Sequence, residues 1–315
     1  MTSATAFAPA TVSNVACGFD VLGFALEQPG DEVTARFLAG HAHGVLIEGI
    51  DGDNSRLPRD AARNTAGIAA LALLTKLGER RGVGLSIRKG LPLSSGLGGS
   101  AASAAAAVVA VDALIGAGAT ADTLIACALE GERLGAGSAH ADNIAPCIYG
   151  GFVLVRRPNP PDIIRLPVPS GLIAVVVHPD LEIETARARD LLGPTVPLSD
   201  AVKQWANMGA LVDGLHRADF ALISRALEDT IAEPRRASLV PGLAAIKRAA
   251  VEAGALGCSL SGSGPSLFAL CEGARAAAAV AAAMTAAVMT QIGGTPRTYV
   301  SPIAPAGARI LTTCI

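Results

Sequence analysis

The segment Pro92-Leu93-Ser94-Ser95-Gly96-Leu97-Gly98-Gly99-Ser100-Ala101-Ala102-Ser103 constrains this chain more than any other stretch of its 315 residues. Glycine has no Cβ, so it admits positive φ and lets another group approach the backbone closely. The segment runs straight into an alanine-rich stretch that reads as a helix over roughly Ser100–Ile115. A helix starting there presents unpaired N–H groups and its positive dipole end to the loop. Loop and helix together make a site for phosphate. Without a ligand, the same residues would be a tight strand-to-helix turn. No Gly-Lys-Ser/Thr closes the segment, and Gly-x-Gly-x-x-Gly does not describe it.

Composition narrows the classes. With 51% hydrophobic residues, the chain can build one large or two ordinary domains. A net charge of −2 and no long basic run argue against a nucleic-acid partner. The mean hydropathy of +0.46 comes largely from alanine. The most apolar windows, Ala101–Gly116 and Ala276–Met289, contain Asp112 or adjoin Glu272 and Arg275, so no membrane span is expected. The stretch Met1–Phe7 lacks the pattern of a secretory signal. The six cysteines form no Cys-x-x-Cys pair, so neither a zinc site nor a disulfide framework is expected, and a reducing cytoplasm fits. His41 and His43 read as solvated residues of a hairpin.

Strand patterns cover Thr5–Pro9, Glu32–Phe37, Gly44–Glu48, Gly84–Arg88, Gly151–Arg156, Ile163–Leu166, Leu172–Val177, Gly257–Leu260, Ser266–Cys271, Arg297–Ser301 and Arg309–Thr313. Helical patterns cover Arg59–Leu77, Ala121–Leu134, Ser199–Leu215, Phe220–Leu227, Leu243–Glu252 and Ala274–Gln291. The prolines of Pro158–Pro161 mark a turn or a domain border. Strands and helices mix without strict alternation. This predicts an α+β fold in two domains, 1–165 and 166–315, rather than a doubly wound parallel sheet.

Four constellations carry chemistry. The first, Pro9 to Gly23, sets Asn14 and Asp20 among small and turn-forming residues; they either meet a substrate amine or hydroxyl or cap their own backbone. The second, Glu130 to Asn143, holds two carboxylates that cannot share a helix face, since Glu130 and Glu132 lie two apart. Glu132 and Ser100 are hard oxygen ligands suited to Mg²⁺ if their segments meet; otherwise Glu132 is a solvated glutamate, and His140 a loop or core histidine. The third, Gly257 to Ser266, is a glycine-serine loop that either closes over phosphates or simply joins two strands. The fourth consists of Arg187, Arg189, Arg235 and Arg236, whose guanidinium groups match carboxylates or are merely solvated.

In this order and at this separation, the three glycine-rich segments resemble those of the galactokinase, homoserine kinase, mevalonate kinase and phosphomevalonate kinase (GHMP) superfamily. Its second motif, Pro-x-x-x-Gly-Leu-Gly-Ser-Ser-Ala, is matched from Pro92 to Ala101, except that Gly99 replaces the first serine. The chain looks most like the homoserine kinases, through Ser13–Gly23, Gly137–Pro146 and the Arg236…Pro241-Gly242 segment. The resemblance implies a two-domain α+β fold. Its N-terminal, ATP-binding domain carries a left-handed β-α-β unit, and its C-terminal domain is ferredoxin-like. It implies ATP and Mg²⁺, with Ser100 and Glu132 on the metal. Pro92, Ser95, Gly96, Leu97, Gly98, Gly99, Ser100, Ala101, Ala102, Gly262 and Gly264 surround the phosphates, Asn64 the adenine, and Lys89 lies beside the nucleotide. Asn14, Asp20, Asn143, Thr185, Arg189 and Arg236 match positions around homoserine, with Arg187 and Arg235 as adjacent alternatives. The implied reaction is ATP-dependent phosphorylation of the L-homoserine hydroxyl in threonine biosynthesis. Asn143 and Asp20 lie nearest that chemistry. The base stays open between Asp20, Asp142 and direct proton loss to the phosphate. The other readings are a mevalonate-type kinase, a non-catalytic sensor on this fold, or a serine hydrolase, which lacks its Gly-x-Ser-x-Gly elbow. A cytoplasmic protein, acting alone or as a homodimer, is expected.

Overall fold

Small side chains decide how the first half packs. In a computed structural model that describes residues 2–136 and 139–314, the chain opens with β1 (Ser3–Ser13), β2 (Leu22–Ala42) and β3 (Gly44–Asp51). These are followed by α1 (Thr65–Leu77), β4 (Arg81–Arg88), α2 (Gly99–Ile115), α3 (Ala121–Ala136) and α4 (Ala141–Tyr149). Helix α2 buries Ala101, Ala102 and Ala104–Ala107 completely. A helix apolar on all sides belongs inside a protein. Its alanines let α1, α3, α4 and the sheet close on it from several directions.

Next come β5 (Phe152–Pro158), β6 (Pro161–Leu166) and β7 (Leu172–His178), then α5 (Thr185–Asp190), α6 (Leu198–Arg217), α7 (Phe220–Ala226), α8 (Ala232–Arg236) and α9 (Leu243–Glu252). The chain ends with β8 (Gly257–Leu260), β9 (Leu267–Glu272), α10 (Gly273–Gln291), β10 (Arg297–Pro302) and β11 (Arg309–Cys314). A seven-stranded sheet has the order β11-β1-β2-β4-β3, with β5 and β6 branching from β2. Its only parallel pair among the described residues is β3–β4, bridged by α1 as a β-α-β unit. The second sheet, β10-β7-β9-β8, is antiparallel throughout. Its β-α-β-β-α-β connectivity and edge-to-edge order are ferredoxin-like.

Several expectations change. Strand β3 pairs with β4 and not with β2, so His41 and His43 do not mark a hairpin; the side chain of His41 lies outside the described residues. The Arg59–Leu77 helix begins only at Thr65, after a short 3₁₀ turn, because the Asn64 side chain accepts from Ala66 N and Gly67 N and caps it there. Of the two readings of Pro158–Pro161, the turn holds: the stretch is the β5–β6 hairpin turn. The division at 165/166 falls at the end of β6, yet β11, from the second half, pairs with β1 in the first sheet. Gly137 and Ser138 of the Gly137–Pro146 motif lie outside the described residues.

Helix α10 is long and apolar enough, by length and composition, to cross a membrane. In the fold, Ala277, Val280, Met284 and Val288 form a helical stripe buried against β7, β9 and α9. Helix α6 does the reverse along part of its length: Leu198, Val202 and Trp205 stand exposed, while Gln204, Leu211 and Leu215 face inward.

Among the described residues, the larger of two core clusters spans both sheets, and the smaller lies between the second sheet and helices α9 and α10. Phe24 of β2 meets Phe152 of β5 at 5.1 Å and Phe268 of β9 edge-on at 5.9 Å. All three rings are fully buried. Phe268→Ala removes the aromatic contact between the sheets and should cost about 3–5 kcal/mol. Urea unfolding followed by fluorescence and by circular dichroism should show one transition, shifted to lower urea. Two separated transitions in the wild type would mean that the sheets do not share a cooperative core.

Candidate active site

A cavity of about 940 Å³ opens where the three glycine-rich segments converge. Its floor is the loop before α2. Gly96 and Gly98 adopt left-handed φ of +75° and +67°. A Cβ on Gly96 would collide with the carbonyl of Ser261, and one on Gly98 with the Thr11 hydroxyl. The loop is anchored from below by Leu97, which is fully buried and whose carbonyl accepts from Thr11 N at 3.1 Å. Helix α2 starts after Gly98 with no side-chain cap. Its first-turn N–H groups are therefore left for whatever occupies the cavity.

Lys89 fixes this loop. Its ammonium is buried, ion-paired with the fully buried Asp31, and donates to Gly99 O at 2.7 Å and Ser103 Oγ at 2.8 Å. An ammonium has three N–H donors, and here all three are used within the protein. Lys89 thus lines the cavity and braces the start of α2. Asn64 is likewise engaged by the protein. It lines the cavity, but its carbonyl caps α1 and its amide donates to Pro58 O at 2.9 Å. Leu97, Ala101, Ala102 and Gly264 do not line the cavity. The first three are buried in the core, and Gly264 packs toward Ile183 and Leu260.

Glu132, on α3, comes to the mouth of α2. It is 2% exposed, and the Ser100 hydroxyl donates to it. Its Oε1 atom has no protein partner, and the hydroxyl of Ser95, also lining the cavity, has none either. Burial pushes the Glu132 carboxyl up to about 7, against the opposing effects of Ser100 and Lys89. An orphaned carboxylate oxygen beside a serine hydroxyl fits a hard divalent cation. No group of three acidic, histidine or cysteine side chains assembles among the described residues. A cation here would complete its shell with phosphate or water.

The opposite wall comes from the first segment and the second sheet's helices. After β1 the chain turns through three successive left-handed residues, Asn14, Val15 and Ala16, with φ of 68°, 23° and 52°. Such a run is strained for side chains bearing a Cβ. Asn14 holds it: its N donates to Asp142 Oδ2 at 3.2 Å, its Oδ1 accepts from Asp20 N at 3.0 Å, and its Nδ2 donates to Gly262 O at 2.8 Å. Asp142 is buried behind this turn, and burial, followed by the Asp20 charge, pushes its carboxyl up to about 7. Asn143, next in the chain, lines the cavity, and its Oδ1 accepts from the Thr11 hydroxyl at 2.8 Å.

Asp20 faces two arginines. Arg189 donates to both its carboxylate oxygens, at 2.8 and 3.0 Å. Arg236, 4% exposed, donates to Ala188 O and Gly262 O at 3.1 Å each. Both guanidinium groups lie near the Phe19 ring, at 5.7 and 5.2 Å. Burial, then the Arg189 charge, holds the Arg236 guanidinium below its ordinary value. Thr185, Ser263 and His140 complete this wall, and burial keeps the His140 imidazole below its usual range. Arg187 is exposed, and Arg235 turns back to Ile231 O, so neither lines the cavity.

Sequence reading missed Phe19, Asp31 and the Arg56–Glu182 pair. Phe19 lies within the Ser13–Gly23 segment, and its rarity in a chain with only 3% aromatic residues is the signal that marks it. Arg56 and Glu182 join the two halves beside the cavity at 2.5 and 2.7 Å. Both are half exposed, so the pair adds little stability.

Residues 64–151 match the GHMP kinases N terminal domain, and residues 211–290 the GHMP kinases C terminal. The chain is 47% identical to a homoserine kinase of Chlorobaculum tepidum, over 99% of both chains. It is 48% identical to one of Chlorobium phaeovibrioides, over 99% of this chain and 100% of that one. The crystal structure of a homoserine kinase from Cytophaga hutchinsonii superposes with a TM-score of 0.95 at 48% identity, covering 99% of this chain and 98% of the other.

The electrostatics of Glu132 can be tested without any substrate. Folded, it keeps its proton up to about pH 7; its ordinary value is 4.5. A raised carboxyl contributes stability that is fully present below the unfolded value and lost as pH rises through the folded one. Glu132→Gln should therefore melt higher than wild type at pH 8, with the gain shrinking as pH falls from 7 toward 4.5. A pH-independent difference in thermal melts would refute the buried, cost-bearing carboxylate.

Proposed function

The chain belongs to the GHMP kinases and, within them, to the homoserine kinase family; from that premise we propose that it transfers the γ-phosphoryl group of ATP to the side-chain hydroxyl of L-homoserine. The products are ADP and O-phospho-L-homoserine, an intermediate of threonine biosynthesis. The observation that carries this reading is the cavity's polarity. An uncapped helix N-terminus suited to phosphate stands at one end, and the Asp20 carboxylate paired with Arg189, beside Arg236, at the other.

Phosphoryl transfer asks mainly for alignment and charge neutralisation. The loop from Pro92 to Gly99 and the first turn of α2 would cradle the phosphates with backbone N–H groups. Ser95 adds a hydroxyl with no protein partner. Ser100 and Glu132 would hold Mg²⁺, which when bound supplies positive charge to the phosphate oxygens. Leu57, Pro58 and Ala62, near the capped start of α1, offer an apolar edge for the adenine.

Homoserine is a zwitterion, and Asp20 with Arg189 is its electrostatic mirror. The ammonium would go to Asp20 and the carboxylate to Arg189 and Arg236, where planar guanidinium groups match it in shape and sign. A mevalonate-type acceptor has no ammonium and would leave Asp20 facing a second carboxylate. Asn143, held by Thr11, would orient the reacting hydroxyl. Asp142 sits behind the Asn14 turn and Asp20 is engaged by Arg189. The hydroxyl proton therefore passes to an oxygen of the transferred phosphoryl as the new O–P bond forms and the bond to ADP breaks.

ADP release with ATP, Mg²⁺ and a panel of hydroxyl acceptors tests the assignment: homoserine should be turned over and mevalonate should not. Arg236→Lys keeps the charge and loses the two-pronged geometry. It should raise KM for homoserine about tenfold or more, the equivalent of about 1.4 kcal/mol, with KM for ATP nearly unchanged. An unchanged homoserine KM would remove Arg236 from the acceptor site.

A further inference from the structure

Gln204 lies outside the cavity, on the inward face of α6, and is 8% exposed. Its amide has two N–H donors and one carbonyl, and both donors and the carbonyl are engaged within the protein. Nε2 donates to Cys17 O at 3.1 Å and to Asp229 Oδ1 at 3.0 Å. Oε1 accepts from Thr230 N at 2.8 Å and lies 3.0 Å from the Thr230 hydroxyl. Both branches lead to the acceptor wall. Cys17 closes the strained turn that carries Phe19 and Asp20. Asp229 accepts from Ile231 N, Ala232 N and Glu233 N at 2.8–2.9 Å, and so fixes the start of α8. Helix α8 ends on Arg236.

We propose that Gln204 is a positioning residue that sets the separation between Asp20 and Arg236, and through it the fit of the acceptor's charged groups. This rests on the phosphotransfer reading above. Gln204 touches no substrate. It ties a loop of the first sheet to a helix of the second, at the point where each hands a charge to the cavity. A helix surface alone would not need this, since the neighbouring positions 202 and 205 are exposed apolar residues. An apolar side chain at 204 would leave Cys17 O, Thr230 N and one Asp229 contact without their partner, and the two walls free to shift independently.

The test compares Gln204→Met, of similar length but unable to donate, with Met284→Ala. Met284 is a fully buried position on α10, outside the cavity lining, and its truncation lowers stability by cavity formation. Gln204→Met should raise KM for the acceptor about tenfold, the loss of one to two net hydrogen bonds, while KM for ATP moves less than about twofold. Met284→Ala should lower the melting temperature and leave both constants in place. Combined with Arg236→Lys, Gln204→Met should add much less than its own single effect, because both act on one guanidinium. If Gln204→Met does not fold, Asp229→Asn reads the same link from its other end and should raise acceptor KM selectively. The constants are measured with whichever acceptor the wild type phosphorylates, so a wrong acceptor assignment is seen in the wild type alone. Equal changes in both KM values, or full additivity with Arg236→Lys, would overturn the proposal and leave Gln204 a stability element.

Discussion

The site depends on one backbone group, the peptide at Gly262. Its N–H donates to Ser13 O, and its carbonyl accepts from Asn14 Nδ2 and Arg236 Nη1. Beside it, Ser261 Oγ donates to Gly96 O, and Ser266 donates to Ser95 O from both its backbone and its hydroxyl. The β8–β9 hairpin loop is therefore stitched to the first segment, to the phosphate-type loop and to the arginine wall. Gly262 has φ +59° and its pro-Cβ direction faces Ser13 Oγ at 3.1 Å. Only glycine meets both conditions without strain. Remove this junction and the two halves of the cavity lose their common reference, although each sheet could still pack.

How much of this could be read in the sequence follows from the range of the interactions involved. The helix after Gly98 and most strands were legible, because glycine content, alanine runs and β-branched runs act locally. Helices α5 and α8 were not. They have six and five residues, too few for a periodic pattern, and α8 is held by Asp229 from outside itself. Helix α4 was hidden by Pro146 within it and by a motif that read as loop. Strand β2 was legible only in part, since Gln28-Pro29-Gly30 interrupts it where its pairing with β1 shifts register. Motif register favours Arg189 and Arg236 over their neighbours Arg187 and Arg235, and Arg189 and Arg236 are the two that line the cavity.

Lys89 shows the same limit at the level of one side chain. The family resemblance puts Lys89 beside the nucleotide and gives no sign of the partner that fixes it. Its partner Asp31 lies 58 positions earlier and is fully buried. A buried ammonium needs such a partner, because an isolated charge in the interior is very costly. The pair fixes Lys89 at the edge of the cavity, where it braces the start of α2. Gly99 is part of this arrangement. A Cβ there would lie 3.7 Å from Lys89 Nζ, in ordinary contact, so the missing serine of the family pattern is tolerated by space and not demanded by backbone strain.

The cavity thus stores its cost in two places. One is a pair of buried carboxyls, Glu132 and Asp142, both pushed up to about 7 and each with one oxygen lacking a protein partner. The other is the left-handed run from Asn14 to Ala16. Neither would persist unless the surroundings over-determined it. Asp142 and Gly262 grip the turn at Asn14, and Gln204 grips it at Cys17, so the strain is held at both ends by groups from three other elements. What the strain achieves is direction. It brings Asp20, itself at φ +59°, out of the turn and onto Arg189, where an exposed loop of ordinary geometry would leave the carboxylate to water. A preorganised pair of opposite charges costs a zwitterion little to engage, since each charge it displaces is replaced by one of its own.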